Sequence, residues 1–507
     1  MIPLSELAEI WVQFSMVPNR LSCSCDGGCW NRPFTASQRL KLLRSIFQGY
    51  RIASIFRIQV QRLDRRWVTI AAAPRGRKIF LLLTFCDLIF LVPTNCEDVM
   101  TRRSFMTSLV AYNALLATAR GQGTSRAPKF KIREVRAIRL RGTVTKYVRV
   151  YTDQGLSGTG EMVDTVGADE IVNNNLGPAL VGRDPLDIQA IYFDNWSWKT
   201  PPGGIPPAFM HGMGGPYLSA MSGIDIALWD LAGKALGLPV YRLLGGRVRN
   251  NMRVYHHADR PERAKELIAQ TGVTGLKTTI DSVIDADNAK KGWDPEKRYT
   301  FSLSNAQIDD IVQHVSEMRE AVGANFALAI ECHSRFDTES AIQVAKAIER
   351  FRPIWLEEPV SPDNVDAMAK VRSMSRVPIA AGENIYTRYG FEPYLEKQAL
   401  SVIQPDMCKC GGLLEGRRIA ALAEVYHVPI APHGVASALG KTAFGHVCAT
   451  VPNFMILEWV YGRTAQDKLT SAPNLRNGFL ELTDAPGIGI EINEDAVKEL
   501  QDGGRAL

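Results

Sequence analysis

The second half of the chain repeats one pattern of apolar and polar positions. After Asn250, short apolar runs that fit strands are each followed by an amphipathic stretch that fits a helix. This alternation predicts parallel β/α units, and eight such strands predict a closed barrel. The predicted strands are Arg253 to His257, Gly275 to Thr279, Phe326 to Glu331, Ile354 to Glu357, Ile379 to Glu383, Val402 to Asp406, Pro429 to His433 and Phe454 to Glu458.

The length of the repeat agrees with a barrel. Such a domain takes about 250 residues, and the repeat runs from about residue 251 to residue 470. A doubly wound open sheet is the alternative arrangement, but no predicted strand is followed by the G-x-G-x-x-G motif of its dinucleotide-binding form. The predicted fold class is therefore α/β, with a β/α barrel as the catalytic domain.

Residues 129 to 250 precede the repeat and form a separate predicted domain. Apolar and polar positions alternate from Lys129 to Glu161, with a turn at Asp153-Gln154-Gly155, which predicts an antiparallel sheet of the hairpin kind. Helical spacing of apolar residues predicts a helix from Ser222 to Leu236, with Ser222 as its N-cap.

The first 99 residues show no sustained helical or strand period, and we interpret them as an upstream extension without a defined fold. Their apolar run from Ile79 to Val92 is 14 residues long and contains Asp87. A membrane-spanning helix needs roughly 20 apolar residues. Stable insertion of this segment into a membrane is therefore not expected.

Residues 100 to 128 resemble a twin-arginine export signal followed by a linker. Arg102 and Arg103 precede an apolar stretch, and an A-x-A sequence ends at Ala119. Such signals act near a natural N-terminus, so we expect translation to start at Met100. The protein would then be periplasmic; if the signal at residues 100 to 119 is not used, it would be cytoplasmic.

Composition and charge exclude several classes of protein. With 46% hydrophobic and 22% charged residues, the chain can bury a large core and is not a disordered or fibrous protein. Residues 1 to 128 hold 17 Lys and Arg against 7 Asp and Glu, whereas the rest holds 42 against 46. The basic excess lies outside the predicted catalytic part, so a nucleic-acid partner is not expected. Nine cysteines without regular spacing do not indicate a disulfide framework.

Six predicted strands end in an ionisable residue, and these residues are 23 to 27 positions apart, about one β/α unit. Their side chains should therefore converge at the carboxyl-terminal mouth of the barrel, where barrel enzymes have their active sites. The six residues are Glu331, Glu357, Glu383, Asp406, His433 and Glu458.

Three carboxylates on consecutive strands repel one another unless a cation lies between them. Hard oxygen ligands suit Mg²⁺, so Glu331, Glu357 and Glu383 are the predicted metal ligands. The alternative for each glutamate is a surface position where it caps a helix or pairs with a lysine. Their equal spacing behind apolar strands favours the metal site.

A general base and a general acid are predicted beside the metal. Asp406 can orient His433 and raise its basicity, which is the arrangement of a catalytic base. His333 lies two residues after Glu331, and strand alternation would place both side chains on one side, where His333 could protonate a leaving hydroxyl. A solvent-facing loop position is the alternative for His333.

These residues resemble the mandelate racemase and muconate lactonizing branch of the enolase superfamily, over roughly residues 129 to 500. The resemblance implies a modified (β/α)7β barrel and an α+β capping domain, formed by residues 129 to 250 and completed by about residues 471 to 507. It also implies a Mg²⁺ ion at the three glutamates, which stabilises the enediolate formed when a base removes the proton next to a carboxylate. The matching motifs are Asp225 to Asp230, Glu357-Glu358-Pro359, Ala381 to Asn384, Gln404-Pro405-Asp406 and Ala431-Pro432-His433.

The end of the second barrel strand distinguishes between reactions. Many members have a Lys-x-Lys pair there, whereas this chain has Lys277 and Thr279. A racemase needs bases on both faces of its substrate, so His433 alone favours dehydration, with Lys277 and Glu458 as further catalytic candidates. The chain is most similar to acid-sugar dehydratases such as galactonate dehydratase, but it has Thr279 for their asparagine and Glu331 for their aspartate.

The resemblance also implies the partners of the protein. The substrate would be an acid sugar, contacted by Arg335, Arg388, Thr279 and, from the glycine- and proline-rich loop between Trp196 and Gly215, His211. Related enzymes form octamers or dimers of barrels, so a homo-oligomer is expected. Two alternatives stay open: a racemase, epimerase or cycloisomerase of an acid sugar, and a sugar-acid binding protein without turnover.

Overall fold

The computed structural model of the chain describes residues 129–163, 165–196, 214–280, 283–284, 302–462 and 464–502, and the backbone of three earlier strands. The predicted export signal at residues 100 to 119, His211 and most of its loop lie outside the described residues. No helix in the described part is long and apolar enough to cross a membrane.

The earlier strands form a small antiparallel sheet in which the middle strand pairs with both of the others. Regular structure thus occurs inside residues 1 to 99, where the sequence showed no sustained period. The strands have four to seven residues each. The strands are β1 (Arg57–Leu63), β2 (Arg66–Ala72) and β3 (Lys78–Leu81).

Residues 129 to 163 form the predicted antiparallel sheet. Its strands are β4 (Ile132–Arg139), β5 (Thr145–Thr152) and β6 (Ser157–Val163), with β5 in the middle. The turn between β5 and β6 lies at the predicted place, where Gly155 adopts a φ of 82°. A left-handed residue of this kind favours glycine, which explains why the chain reverses here.

Helices cover one face of this sheet, and the principal one packs unusually close to it. A Cβ atom on Gly160 would lie 2.0 Å from the carbonyl oxygen of Gly223, so only glycine permits this approach. The helices are α1 (Ala168–Ile171), α2 (Gly177–Leu180), α3 (Ile188–Trp196), α4 (Pro216–Leu236) and α5 (Val240–Leu243), with a π-helical turn at Val172–Leu176.

The predicted start of α4 was wrong. The helix begins at Pro216, which fits its first turn, and Ser222 lies buried inside it. The Ser222 hydroxyl donates to the carbonyl of Leu218 at 2.6 Å and accepts from the amide of Gly411 at 2.8 Å. Ser222 therefore connects α4 to the barrel instead of capping it.

The barrel is closed. Its parallel ladder runs from β7 to β12, β13 pairs with β7, and Ile430 bridges Ile403 on one side and Phe454 on the other. The strands are β7 (Asn251–His257), β8 (Gly275–Thr279), β9 (Ala327–Glu331), β10 (Trp355–Glu357), β11 (Ile379–Ala381), β12 (Val402–Ile403) and β13 (Leu457–Glu458).

The strand predicted at Pro429 to His433 contributes a single bridging residue, Ile430. Pro429 and Pro432 have no amide hydrogen, so neither can donate to a ladder. Three further strands are shorter than predicted. Those from Ile379 and Val402 end before Glu383 and Asp406, because the backbone leaves the ladder there, and the strand predicted from Phe454 joins the ladder only at Leu457.

A helix follows each of the first seven strand positions. After β13 the described chain forms one helical turn, α13 (Thr464–Asp467), where a complete barrel would have an eighth helix. This is the expected (β/α)7β arrangement. The seven helices are α6 (Pro261–Thr271), α7 (Asn305–Val322), α8 (Thr338–Ile348), α9 (Val365–Met374), α10 (Thr387–Glu396), α11 (Gly412–Val425) and α12 (Ala438–Thr450).

The C-terminal tail contacts both the barrel and the antiparallel sheet. Strands β14 (Leu475–Arg476) and β15 (Phe479–Glu481) form a hairpin that pairs with β7. After α14 (Glu494–Leu500), the amide of Arg141 donates to the carbonyl of Leu500 at 2.8 Å. The tail therefore joins the first barrel strand to the sheet that begins at Ile132.

Candidate active site

Each of the eight barrel strand positions delivers an ionisable residue to one end of the barrel, at or just beyond the strand. The structure thus brings together the six predicted residues and adds one from each of the first two strands. We call this set the mouth cluster: His257, Lys277, Glu331, Glu357, Glu383, Asp406, His433 and Glu458.

Lys277 lies at the centre of the mouth cluster. Its Nζ atom is 2.8 Å from Glu331, 2.7 Å from Glu357 and 2.9 Å from Glu458. All four side chains are buried. Burial opposes the charge on the lysine, but the three carboxylates outweigh it and hold the pKa of Lys277 well above its usual value.

Glu357 shows that this lysine does not neutralise its neighbours. Burial and the charge of the adjacent Glu331 raise the pKa of Glu357 to about 8, although Lys277 opposes the shift. The indole Nε1 of Trp355 donates to the second Glu357 oxygen at 2.9 Å and fixes the carboxyl group. The cluster thus holds more carboxyl groups than its lysine can keep ionised at neutral pH.

The donor chemistry of this cluster fits a hard divalent cation, because buried carboxylate oxygens in excess of positive charge are what such an ion requires. Among the described residues, however, no three His, Cys, Asp or Glu side chains converge closely enough to hold a metal ion. Lys277 lies between Glu331 and Glu357, while Glu383 bonds to His433. Ion binding would require these side chains to exchange partners, so the predicted ligand set stays a prediction.

His433 and Asp406 form the predicted pair. The Nδ1 atom of His433 is 2.7 Å from Asp406, whose other oxygen accepts from the amide of Cys408 at 2.8 Å. Nε2 is 2.8 Å from Glu383. Burial opposes protonation of His433, but the charges of Glu458 and Glu383 and the hydrogen bond to Asp406 raise its pKa well above the usual value. Asp406 can therefore orient the imidazole and stabilise it once protonated.

Glu458 lies between two imidazoles. One oxygen bonds to Nε2 of His257, and the other accepts from the amide of Gly434 at 2.8 Å and lies 3.8 Å from Nε2 of His433. Although burial acts in the opposite sense, the positive charges of Lys277 and His433 hold the pKa of Glu458 well below its usual value. Glu458 is therefore an ionised link between the lysine and both histidines.

The alternation argument for His333 was wrong. Strand β9 ends at Glu331, and His333 is exposed with a left-handed φ of 44°. The extended backbone that would place alternate residues on one side is therefore absent at His333. Its amide nevertheless donates to Glu331 at 3.0 Å, so the residue lies at the edge of the mouth cluster. Its role as an acid stays a prediction.

The predicted substrate contacts have different surroundings. The guanidinium of Arg388 bonds to both oxygens of buried Glu415, at 2.8 and 2.6 Å, which joins α10 to α11. Thr279 pairs in register with Glu331, and its amide donates to Asp259 at 2.9 Å. Arg335 lies just after β9 and is partly buried. None of these observations tests a substrate contact.

Two residues of the site were missed in the sequence. His257 ends the first barrel strand, so it would have been found by the strand-end rule, the search for an ionisable residue at the end of each predicted strand. Its ring lies parallel to that of Tyr255, and 32% of its side chain is exposed. Glu358 accepts from Ser334 at 3.0 Å and from Asn384 at 3.1 Å, and burial together with the charge of Glu383 raises its pKa to about 7. No strand pattern distinguishes Glu358 from Glu357.

The chain matches a known family over both domains. Residues 137–245 match the N-terminal domain of mandelate racemase and muconate lactonizing enzyme, and residues 259–496 match the enolase C-terminal domain-like family. The chain therefore belongs to the mandelate racemase and muconate lactonizing enzyme family of the enolase superfamily. This confirms the predicted family, whereas the bounds of 129 and 250 for the capping domain stay a prediction.

Curated relatives are dehydratases. The chain is 36% identical over 354 residues to D-xylonate dehydratase of Haloferax volcanii, covering 69% of this chain and 84% of that protein. It is 33% identical over 366 residues to D-galactonate dehydratase of Pectobacterium atrosepticum, covering 70% and 90%. These relatives confirm the prediction of an enzyme of the hydro-lyase class.

Solved structures agree in fold. A mandelate racemase/muconate lactonizing enzyme-like protein from Rubrobacter xylanophilus is 35% identical, with a TM-score of 0.67 over 74% of this chain and 98% of that chain. A putative dehydratase from Salmonella enterica serovar Typhimurium is 32% identical, with a TM-score of 0.67 over 74% and 99%. The predicted fold class is therefore confirmed.

Proposed function

We propose that the chain is a Mg²⁺-dependent dehydratase of an aldonate, which converts the acid sugar to a 2-keto-3-deoxy acid through an enediolate. The observation that carries this proposal is the pair of His433 and Asp406 beside a buried excess of carboxylates. A base next to a site for a carboxylate-binding cation is suited to removal of an α-proton.

Glu331, Glu357 and Glu383 would hold the cation. When bound, it supplies positive charge to the substrate carboxylate as the α-proton leaves. The remaining tasks belong to the chain: Trp355 keeps Glu357 in place through its indole hydrogen bond, and the amides of Cys332 and His333 hold Glu331 at 3.1 and 3.0 Å.

Two histidines would move the protons. Nε2 of His433 takes the proton from C2. The imidazole must be neutral to do so, which requires Glu383 to leave its 2.8 Å contact with Nε2, because the charge of Glu383 is one cause of the raised pKa of His433. His333 gives a proton to the hydroxyl on C3, the C3–O bond breaks and water leaves. The resulting enol becomes the 2-keto-3-deoxy acid when C3 gains a proton. The sum is substrate to product plus one water.

The relatives support the proposed substrate class. D-xylonate and D-galactonate dehydratases are named among them, and both substrates are aldonates. Arg335, Thr279 and His211 are our candidates for contacts with the polyol chain. Arg388 would have to leave Glu415 to reach a substrate, so we assign it a direct role only if its replacement raises KM without loosening α10.

A panel of aldonates incubated with Mg²⁺ tests the proposal. We expect D-xylonate, D-galactonate or a close analogue to give a 2-keto-3-deoxy acid, and EDTA to abolish product. The same panel in D₂O separates the alternatives, because an epimerase exchanges the C2 proton without making a keto acid. Magnesium-dependent binding without exchange or product would instead identify a binding protein.

We also propose a periplasmic location, through the twin-arginine-type segment at residues 100 to 119, and a homo-oligomer. Sequencing the N-terminus of the protein from fractionated cells tests the first, since cleavage after Ala119 is expected. Light scattering tests the second, and a single-chain mass would contradict it.

A further inference from the structure

A buried carboxylate of the capping sheet reaches into the barrel. Glu161 on β6 is fully buried and accepts four hydrogen bonds. One oxygen accepts from the amide of Ser437 at 2.7 Å and from the hydroxyl of Thr145 at 2.9 Å. The other accepts from the hydroxyl of Ser437 at 2.6 Å and from the amide of Gly440 at 2.9 Å.

These donors belong to the segment that carries the proposed base. Ser437 is the N-cap of α12, and residues 434 to 436 are all that separate it from His433. A negative charge at a helix N-terminus is favourable, and here it also satisfies the free amide groups of the first turn. We call residues 434 to 436, which join His433 to the start of α12, the link. Glu161 therefore holds the end of the link that is further from His433.

Gly440 is shaped for this contact. A Cβ atom at Gly440 would lie 2.9 Å from a Glu161 oxygen and 2.7 Å from the Cβ of Ala436, closer than real Cβ contacts come. The absence of a side chain at this position lets the carboxylate approach the helix end. The short distance thus depends both on the carboxylate of Glu161 and on glycine at position 440.

Two further side chains hold the same link. The hydroxyl of Tyr147 is 2.9 Å from the Ser437 hydroxyl, and the Gln466 amide donates to Thr145 at 3.0 Å and to the carbonyl of Val435 at 3.3 Å. We call Thr145, Tyr147, Glu161, Ser437 and Gln466 the cap clamp. The barrel strands hold the other end of this segment: the amide of Glu458 donates to the carbonyl of Pro432 at 3.2 Å, and the amide of Gly434 donates to the Glu458 carboxylate at 2.8 Å.

We propose that Glu161 is a positioning residue for proton abstraction, which fixes the link between His433 and α12 from the capping domain. This rests on the proposed function, because it assigns Glu161 an effect through His433 as the base. A loosened link lets the imidazole move relative to the substrate, and displacements of about 1 Å are enough to cost roughly 100-fold in rate.

Glu161→Gln tests the proposal, with Asp230→Asn as the matched control. Asp230 is another buried carboxylate, which accepts from the amides of Thr159 at 2.9 Å and Ile488 at 3.0 Å and does not contact the link. With an aldonate that the wild type turns over, we expect Glu161→Gln to lower kcat by about 10- to 100-fold and to leave KM within about twofold.

The same variant should show a larger isotope effect with substrate deuterated at C2, because proton removal becomes slower than the other steps. Asp230→Asn should keep kcat and the isotope effect at a temperature where it is folded. If Glu161→Gln does not fold, Tyr147→Phe and Ser437→Ala remove single hydroxyl groups from the cap clamp. They are expected to change kcat and the isotope effect in the same direction by less.

Three results would overturn the proposal. The first is an unchanged kcat and isotope effect in Glu161→Gln, or in both hydroxyl variants if Glu161→Gln does not fold. The others are an equal loss of kcat in Asp230→Asn and a change confined to KM. Exchange of the C2 proton in D₂O, measured on the wild type, separates this from the proposed function. Exchange without keto acid contradicts dehydration but leaves the role of Glu161 to the variants. Absence of both exchange and product contradicts both proposals.

Discussion

The mouth cluster and the cap clamp both bury carboxylates, but they satisfy them differently. In the cap clamp, four donors converge on Glu161. In the mouth cluster, Lys277 contacts three carboxylates. Burial raises the pKa of both Glu161 and Glu357, but hydrogen bonds oppose the rise at Glu161, whereas the charge of Glu331 adds to it at Glu357 and brings that pKa to about 8. A satisfied carboxylate stabilises a structure, whereas an under-compensated group of them marks a place where a ligand supplies the missing charge.

The largest effect should follow from removing the base in the mouth cluster. We expect His433→Asn to lower kcat by about 1,000-fold and to abolish C2 exchange in D₂O, while the protein stays folded. His427→Asn is the matched control, because His427 is exposed and has a φ of 56°, a conformation that asparagine accepts readily. Retention of a tenth of the wild-type kcat would remove His433 from the role of base.

Glu357→Gln should separate activity from stability. We expect activity to fall by about 100-fold or more, because a proposed metal ligand is lost. Stability without metal should stay the same or rise, since burial and Glu331 already favour the uncharged form of this group. Glu161→Gln should instead lower the free energy of unfolding, by about 3 kcal/mol, because it leaves buried donors without a charged acceptor.

The pH dependence of Glu357→Gln sharpens the same point. A carboxyl group whose pKa is raised on folding contributes stability at low pH, and this contribution is lost as the pH rises through the folded value of about 8. Denaturation of the metal-free wild type between pH 5 and 8 should therefore show a steeper decline than that of the variant, which keeps the contributions of Glu358 and Asp225, whose pKa values burial raises to about 7. Parallel curves for both proteins would show that folding does not raise the pKa of Glu357.

A smaller effect is expected at His257, which contacts the mouth cluster from its exposed edge. His257→Asn removes one partner of Glu458 but leaves Lys277 in place, so we expect kcat/KM to fall by about 10-fold. Steady-state kinetics with the preferred aldonate measure this, with His427→Asn again as the control. A loss as large as that of His433→Asn would make His257 itself a proton-transfer residue.

His446 should affect stability alone, outside both clusters. Its Nδ1 accepts from the amide of Tyr241 and its Nε2 contacts the carbonyl of Ile488, both at 3.0 Å, and burial lowers its pKa to about 4. Because the unfolded histidine has the higher pKa, its contribution is complete above about pH 6.5 and is lost as the pH falls to 4, by about 3 kcal/mol. His446→Gln should flatten this decline without changing kcat; an unaltered decline would assign it to other groups.

The strand-end rule predicted most of the mouth cluster from the sequence. It works because parallel strands end at one edge whatever their length, so Glu331, Glu357 and Glu458 are found even where strands are short. The separate argument from strand alternation failed for His333, because a left-handed backbone after β9 ends the alternation. The lesson is that spacing fixes which residues meet, whereas local dihedral angles fix where they point.

Other features could not be predicted because they depend on contacts distant in sequence. Glu161 and Ser437 are 276 positions apart, and no local pattern relates them. Which glutamates Lys277 and His433 contact depends on side-chain rotamers, which a strand pattern does not specify. Ser222 was interpreted as a helix cap because its partner, the amide of Gly411, lies 189 positions further along the chain.

The weak seventh strand position has a consequence for protein engineering. Since Glu161 of the capping domain also holds the segment that follows His433, the barrel cannot be treated as a self-sufficient module onto which any lid is grafted. A chimera that takes its capping domain from a homologue would inherit a base held by foreign side chains. Such exchanges should therefore carry Thr145, Tyr147 and Glu161 together with Ser437 and Gly440, as one transplanted unit.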